Sequence, residues 1–263
     1  MCLILFAQKM HRDFPLILAA NRDEAYARPT APASFWNDYP YIYAGRDLEH
    51  RGTWLGITRG GRVAAVTNFR DGLAAKASTR SRGDLVAAYL RGNQRPGAYL
   101  TQVNNASVHY NGFNLLAGDL EELHYLSNRG GKLIAIAPGV HGLSNHLLNS
   151  PWPKVERGRK ILGELLESKT QVLIDGLFKV LDDRTIAQDQ HLPETGVGLV
   201  RERALSPAFI ISPNYGTRSS TVLLVDNHGQ VVFIERSFGE RGKPGPTVTG
   251  RFTLETAPSQ AMI

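Results

Sequence analysis

Short apolar runs separated by turn material dominate the first third of the chain. Residues 2–7 and 14–20 are apolar and bounded by polar segments, and residues 41–44, 53–58 and 62–67 follow in the same style. Brief apolar runs closed by Gly, Asn or Asp predict strands. Gly60-Gly61 joins two of them at the length of a tight hairpin. The pattern recurs at 123–126 and 133–137 across Ser127-Asn128-Arg129-Gly130-Gly131, and at 221–225 and 231–235 across Asp226-Asn227-His228-Gly229. Hairpins pair antiparallel, so the sheets are predicted to be mainly antiparallel.

Two helical blocks interrupt the strands. Ser81 and Asp84 have the spacing of a capping box, and behind them Leu85, Val86, Tyr89 and Leu90 repeat at helical intervals. Pro153 suits a first helical turn. After it, Ile161, Leu162, Leu165 and Leu166 form one stripe, and Leu173, Ile174, Leu177, Val180 and Leu181 form another. Such stripes need a sheet to cover. Helices clustered between antiparallel runs favour α+β layering over a doubly wound sheet. The pattern therefore predicts a four-layer αββα sandwich, two mainly antiparallel sheets flanked by helices, with residues 1–263 as a single domain. Residues 183–206 read as a polar loop that covers a site, and residues 257–263 as a mobile tail.

Composition narrows the partners. Apolar residues make 42% and charged residues 21% of the 263, as in ordinary globular chains. A single cysteine excludes an intramolecular disulfide and a zinc-type cysteine pair, so no metal centre is expected. No apolar run approaches the ~20 residues that span a bilayer. The first run lacks a preceding basic residue and breaks at Gln8-Lys9, unlike a secretory signal. The expectation is a cytoplasmic protein without an integral membrane segment. The net charge of +6 is dispersed apart from Lys76, Arg80 and Arg82. No aromatic-interleaved basic stripe appears, so nucleic acid is not an expected partner. A solvated face or attraction to anionic small molecules accounts for the balance.

The one cysteine stands at position 2. If Met1 is trimmed, the thiol and the chain's α-amine share a residue, and that amine titrates close enough to neutrality to take the thiol proton. As a small hydrophobe, cysteine also fits a strand start. Chemistry tends to sit where strands meet loops, and four such places stand out. They are Asn21-Arg22-Asp23-Glu24 after residues 16–20, Thr67-Asn68-Phe69-Arg70 after 63–66, Ser144-Asn145-His146 after 140–143, and residues 215–220 before 221–225. Asp23 is suited to hold the amine, Asn68 or Asn145 to donate to an oxyanion, and Arg22 or Arg218 to stabilise negative charge. The same asparagines are good turn formers, and the charged residues also suit a surface.

These residues carry a family resemblance. Asn21-Arg22-Asp23-Glu24 is the tetrad for which the NRDE family, also called the transport and Golgi organisation protein 2 family, is named. The chain resembles that family over nearly its full length. The matching stretches include Met1-Cys2-Leu3, Gly45-Arg46-Asp47, Gly52-Thr53-Trp54, Thr67-Asn68-Phe69-Arg70, Ser81-Arg82-Gly83-Asp84, Leu143-Ser144-Asn145 and Tyr215-Gly216-Thr217-Arg218. It departs at Arg51, where another glycine is expected; the change bears on a turn rather than on the chemistry.

The family is similar to N-terminal nucleophile hydrolases, which cleave amides with an N-terminal cysteine. By that likeness the site comprises Cys2 as nucleophile, Asp23 on the amine, Asn68 and Asn145 beside the substrate, and Arg218 near the nucleophile. Asn21, Arg22, Trp54 and Phe69 are the candidate substrate-binding residues. Those hydrolases carry an arginine three residues before the aspartate. Here Ala20 occupies that place, and Arg22 adjoins Asp23, a spacing that turns the two side chains to opposite faces and sets Arg22 away from Cys2. The resemblance implies either a cysteine amide hydrolase acting on non-peptide C–N bonds without a cofactor, or a non-catalytic protein of haem trafficking. The second would hold haem, or a lipid-like metabolite, in the same pocket, with Cys2 as an available iron ligand. A scaffold in membrane trafficking is the third function implied.

Overall fold

The protein is described here as a computed structural model that covers residues 2–72, 80–130 and 132–255. Met1, Lys76 of the basic cluster and the tail 257–263 lie outside the described residues. The chain begins with strands β1 (Cys2–Gln8), β2 (Leu16–Ala25), β3 (Thr30–Phe35), β4 (Ile42–Asp47), β5 (Leu55–Thr58) and β6 (Val63–Asn68). Helices α1 (Gly83–Arg91) and α2 (Pro96–Asn105) follow, then β7 (Phe113–Gly118), β8 (Leu123–Ser127), β9 (Ile134–Ala135) and β10 (Gly139–Leu143). Helices α3 (Pro153–Leu165), α4 (Thr170–Leu181) and α5 (Leu199–Leu205) precede β11 (Tyr215–Val225), β12 (Gln230–Phe238) and β13 (Pro244–Thr253).

The strands form two antiparallel sheets. One has the order β10-β1-β2-β11-β12-β13, the other β3-β4-β5-β6-β7-β8-β9. Burial on both faces explains why β1 reads as an unbroken apolar run. Ile4 and Phe6 pack between the sheets with Leu18, Leu55, Ile57 and Ala65. Leu3, Leu5 and Ala7 point the other way, into a layer with Leu162, Leu173 and Leu177 of α3 and α4. The second sheet covers its outer face with Leu85, Val86, Tyr89 and Leu90 of α1 and Leu100 of α2. The result is the predicted αββα sandwich. Among the described residues, no helix is long and apolar enough to cross a membrane.

Several local expectations are corrected. Residues 21–24 and 215–220 continue strands β2 and β11 rather than leaving them, because polar side chains there find buried partners inside the fold. Ser81 caps nothing with its side chain; its carbonyl accepts from Asp84 N at 3.1 Å, and Arg82 holds the cap position. The segment 183–206 contains α5, whose Glu202 is buried. Strands β3, β7 and β13 and helix α2 carry weak patterns and were not expected from the sequence.

Arg51 adopts φ 62, in the left-handed region that favours glycine. The next residue, Gly52, docks on the start of α1: an added Cβ would lie 2.6 Å from the Gly83 carbonyl carbon. Glu235 on β12 ties the two sheets at one margin. Its Oε1 accepts from Ala33 N at 2.8 Å, where the β3–β4 register shifts between Ala31 and Ser34. Burial pushes the Glu235 carboxyl up to about 7, against the pull of the Ala33 N–H and of Arg22.

Two measurements test these points. Arg51→Gly relieves a left-handed penalty of about 1–2 kcal/mol against a smaller glycine entropy cost, so it stabilises by about 0.5–1 kcal/mol in urea unfolding; a lower midpoint rejects that reading. Glu235 has a raised folded pKa, so its stabilising contribution is complete below its unfolded value of 4.5 and is lost as pH rises through about 7. Between those limits the wild type loses about 3 kcal/mol more than Glu235→Gln. Parallel stability–pH curves for the two proteins would refute the assignment.

Candidate functional site

Cys2 begins β1 directly opposite Arg22 of β2 in the antiparallel register. Residues opposite each other in such a pair share a face. The expectation that Arg22 turns away from Cys2 is therefore corrected: Arg22 shares the thiol's face, and Asp23 takes the other. The Arg22 guanidinium lies over the Trp54 ring at 4.3 Å and donates to Thr30 Oγ1 at 3.2 Å. Longer ion pairs reach Asp47 at 3.7 Å and Glu24 at 3.8 Å. Trp54 is itself fixed against the backbone of Gly45, where a Cβ would strike its ring.

Asp23 is 2% exposed and faces the α3 side of the sheet. Its Oδ1 accepts from Thr217 Oγ1 at 2.7 Å, and its backbone carbonyl accepts from Tyr215 Oη at 2.8 Å. Burial raises the Asp23 carboxyl pKa, while the Lys154 ammonium, the Thr217 hydroxyl and Arg22 hold it down. Lys154 of α3 is buried as well. Its Nζ donates to Leu205 O at 2.9 Å and Pro207 O at 3.3 Å. Burial brings Lys154 down to about 8, opposed chiefly by the negative charge of Asp23. Burial also raises the Cys2 thiol; the Asp23 charge adds to that, whereas the Asp23 backbone N–H and Arg22 favour the thiolate.

A cleft of about 220 Å³ opens over this pair of strands. Of the sequence-predicted residues it gathers Cys2, Arg22, Asp23, Trp54 and Asn68. Asn68 ends β6, so it arrives from the opposite sheet. Ser144 fixes the relation between the two. Its Oγ donates to Cys2 O at 3.0 Å, and its carbonyl accepts from Thr67 Oγ1 at 2.6 Å.

The other candidates lie outside the cleft lining. Asn145 is wholly buried behind Asn68, to whose carbonyl its Nδ2 donates at 2.9 Å. Asn21 faces the helices, donating to Leu181 O and Ala208 O at 2.8 Å each and accepting from Ser220 Oγ. Arg218 clamps the carbonyls of Ala25, Tyr26 and Arg28 and lines a neighbouring cavity beyond the Arg22–Trp54 stack. Phe69 packs against the His146 ring in a tilted arrangement, centroids 5.0 Å apart. Sequence reasoning missed Arg28, Arg82 and Asn111 as lining residues. The stretch Ser81–Asp84 was the available signal for Arg82, but it reads first as a helix start. Among the described residues, no group of three or more His, Cys, Asp or Glu is placed to hold a metal ion.

Comparison with known proteins adds the relatives. The family model for Transport and Golgi organisation 2 matches residues 1–240. The Transport and Golgi organization protein 2 homolog of Bos taurus is 36% identical, covering 97% of this chain and 100% of that protein. The Homo sapiens homolog is 35% identical over the same shares. Among solved structures, the Caenorhabditis elegans N-acylethanolamine-hydrolyzing acid amidase ortholog is similar in fold, with TM-score 0.52 and 13% identity, covering 85% of this chain and 92% of that one.

The charge relation at Asp23 is directly testable. Removing the ammonium with Lys154→Met moves the Asp23 titration higher in carboxyl ¹³C NMR, and Lys154→Arg restores it, because an adjacent cation favours the ionised acid. The methionine variant also strands the buried Pro207 carbonyl and the part-buried Leu205 carbonyl and loses about 1–3 kcal/mol. An unmoved Asp23 titration would show that Lys154 is not its counter-ion.

Proposed function

This chain belongs to the Transport and Golgi organisation 2 family, and from that premise we propose that its cleft is the site of a cysteine amide hydrolase acting on non-peptide C–N bonds. The observation that supports it best is the convergence of Cys2, Asp23 and Asn68 from three strands on one cleft. In this reading Met1 is removed and Cys2 becomes the N-terminal residue. Its α-amine takes the thiol proton, and the thiolate attacks the amide carbonyl carbon. The Asn68 side chain donates to the developing oxyanion. Collapse breaks the C–N bond, and the α-ammonium returns its proton to the departing amine. Water then hydrolyses the thioester and regenerates the thiol. Asp23 holds the ammonium, and Arg22 stabilises negative charge across from the sulfur. No cofactor enters the scheme, and a reducing, cytoplasmic setting would keep the thiol free.

Carriage of haem or another hydrophobic metabolite in the same pocket is the competing proposal. The lining argues for a polar ligand: Trp54 and Val66 are its large apolar side chains, among three acidic residues and four arginines.

The expected result is that intact mass shows loss of Met1, and that hydrolysis of N-acyl amides falls at least roughly a thousandfold in Cys2→Ala. Equal turnover by the variant, or retention of Met1 in active protein, overturns the scheme. Saturable haem binding with no amide turnover by the wild type would favour the carrier.

A further inference from the structure

The charges around the cleft do not cancel evenly. Asp47 accepts from Arg28 Nε at 2.6 Å, lies 3.7 Å from Arg22, and takes the backbone N–H groups of Glu49 and His50. Arg28 also reaches Glu49 at 3.0 Å. Glu24 accepts its neighbour's N–H and lies 3.8 Å from Arg22. Asp23 has Thr217 and the Lys154 charge. Each acid on the lining is thus engaged, and each engages Arg22, Arg28 or a group behind the strand. Arg82 stands apart. It is half-buried, its Nη1 donates to Gly112 O at 3.2 Å, and no carboxylate among the described residues pairs with it. Burial lowers its pKa, opposed by the charges of a Cys2 thiolate and of Glu24, neither of which forms an ion pair with it.

A half-buried cation without an acid partner has lost hydration that no ion pair replaces. The fold nonetheless presents it with care. Gly83, the residue after it, packs against Thr53, and Gly52 closes on the Gly83 backbone, so the start of α1 is pinned beside the cleft. A guanidinium has five donors in a planar fork suited to a carboxylate or phosphate. Arg80 adds a second, exposed cation on the same wall.

We propose that the cleft selects amides bearing an anionic group near the scissile bond, and that Arg82 is the residue that holds this group. That the ligand is an amide rests on the hydrolase reading; that it is anionic rests on the charge distribution of the lining. Arg82 is a specificity residue that touches substrate, distinct from the bond-breaking groups.

Binding to a Cys2→Ala background tests it without turnover, so its failure is separable from failure of the hydrolase scheme. N-hexanoylglycine, its neutral glycinamide counterpart and N-hexanoyl phosphoethanolamine are titrated by calorimetry. The anionic probes are expected to bind at least tenfold more tightly than the neutral one. Arg82→Gln erases that preference, and Arg82→Lys retains part of it. A carboxylate-only preference and a phosphate-only preference each identify the source of the anion. Affinity of the neutral probe equal to both anions, or an anion preference untouched in folded Arg82→Gln, overturns the proposal. Should Arg82→Gln not fold, the preference must still weaken with rising salt in the Cys2→Ala protein; salt independence overturns it as well.

Discussion

Ser144 joins the two sheets where the cleft opens. Its hydroxyl reaches Cys2 O on one sheet, and its carbonyl receives the Thr67 hydroxyl from the other. The network continues inward: Asn114 Nδ2 donates to Thr67 Oγ1 at 3.0 Å, and Tyr125 Oη donates to Asn114 Oδ1 at 2.8 Å. Burial of apolar side chains brings two sheets face to face but is not directional. Hydrogen bonds are, and here every member is buried, so breaking one strands a polar group at about 1–3 kcal/mol. This network sets where Asn68, one residue beyond Thr67, stands relative to Cys2.

The opposite margin of the sandwich is tied by Glu235 reaching across to Ala33. Between the two ties lies the Arg22–Trp54 stack, which separates the cleft from the cavity lined by Arg218. The stack depends on small residues as much as on its own members. Gly45 makes room for the indole, and Gly52 lets the chain pass close to α1. A side chain at either position would move the wall that carries Arg22, and with it the charge opposite the thiol.

The layered fold was legible because its causes are local. Gly60-Gly61 supplies a left-handed turn at Gly61, and the stripes of α1, α3 and α4 repeat at helical spacing. Strand β7 was not, since the buried Asn114 interrupts Phe113–Gly118 and leaves a shorter apolar run than that of β1. Helix α2 was not, since its buried stripe is limited to Pro96, Tyr99, Leu100 and Val103, a short face in an otherwise polar segment. Of the cleft lining, Cys2, Asp23 and Asn68 were nominated by type and by family likeness. The face each side chain takes depends on strand register, which motif spacing does not contain. Arg22 was accordingly set on the wrong side of the strand. Asn21, Asn145 and Arg218 carry the polarity of site residues but spend it on backbone carbonyls. The departure at Arg51 was legible in advance, because only the backbone angle of a turn demands glycine there.

The division of polar groups between the two faces of β2 bears on how a hydrolase here must work. Arg22 and the thiol share the cleft face, whereas Asp23 sits among Thr217, Tyr215 and the Lys154 charge on the helix side. A carboxylate in that place is poorly aimed to take a proton from sulfur, and its charge raises the thiol pKa instead of lowering it. What lies between the two faces is the main chain of residue 2. A group carried there, an α-amine freed at Cys2, can meet the carboxylate on one side and the thiol on the other. The buried acid is then an anchor for a cation, and the proton relay runs within a single residue. In such a scheme Lys154 has a matching place, because its ammonium favours the ionised form of an acid whose pKa burial at 2% exposure raises.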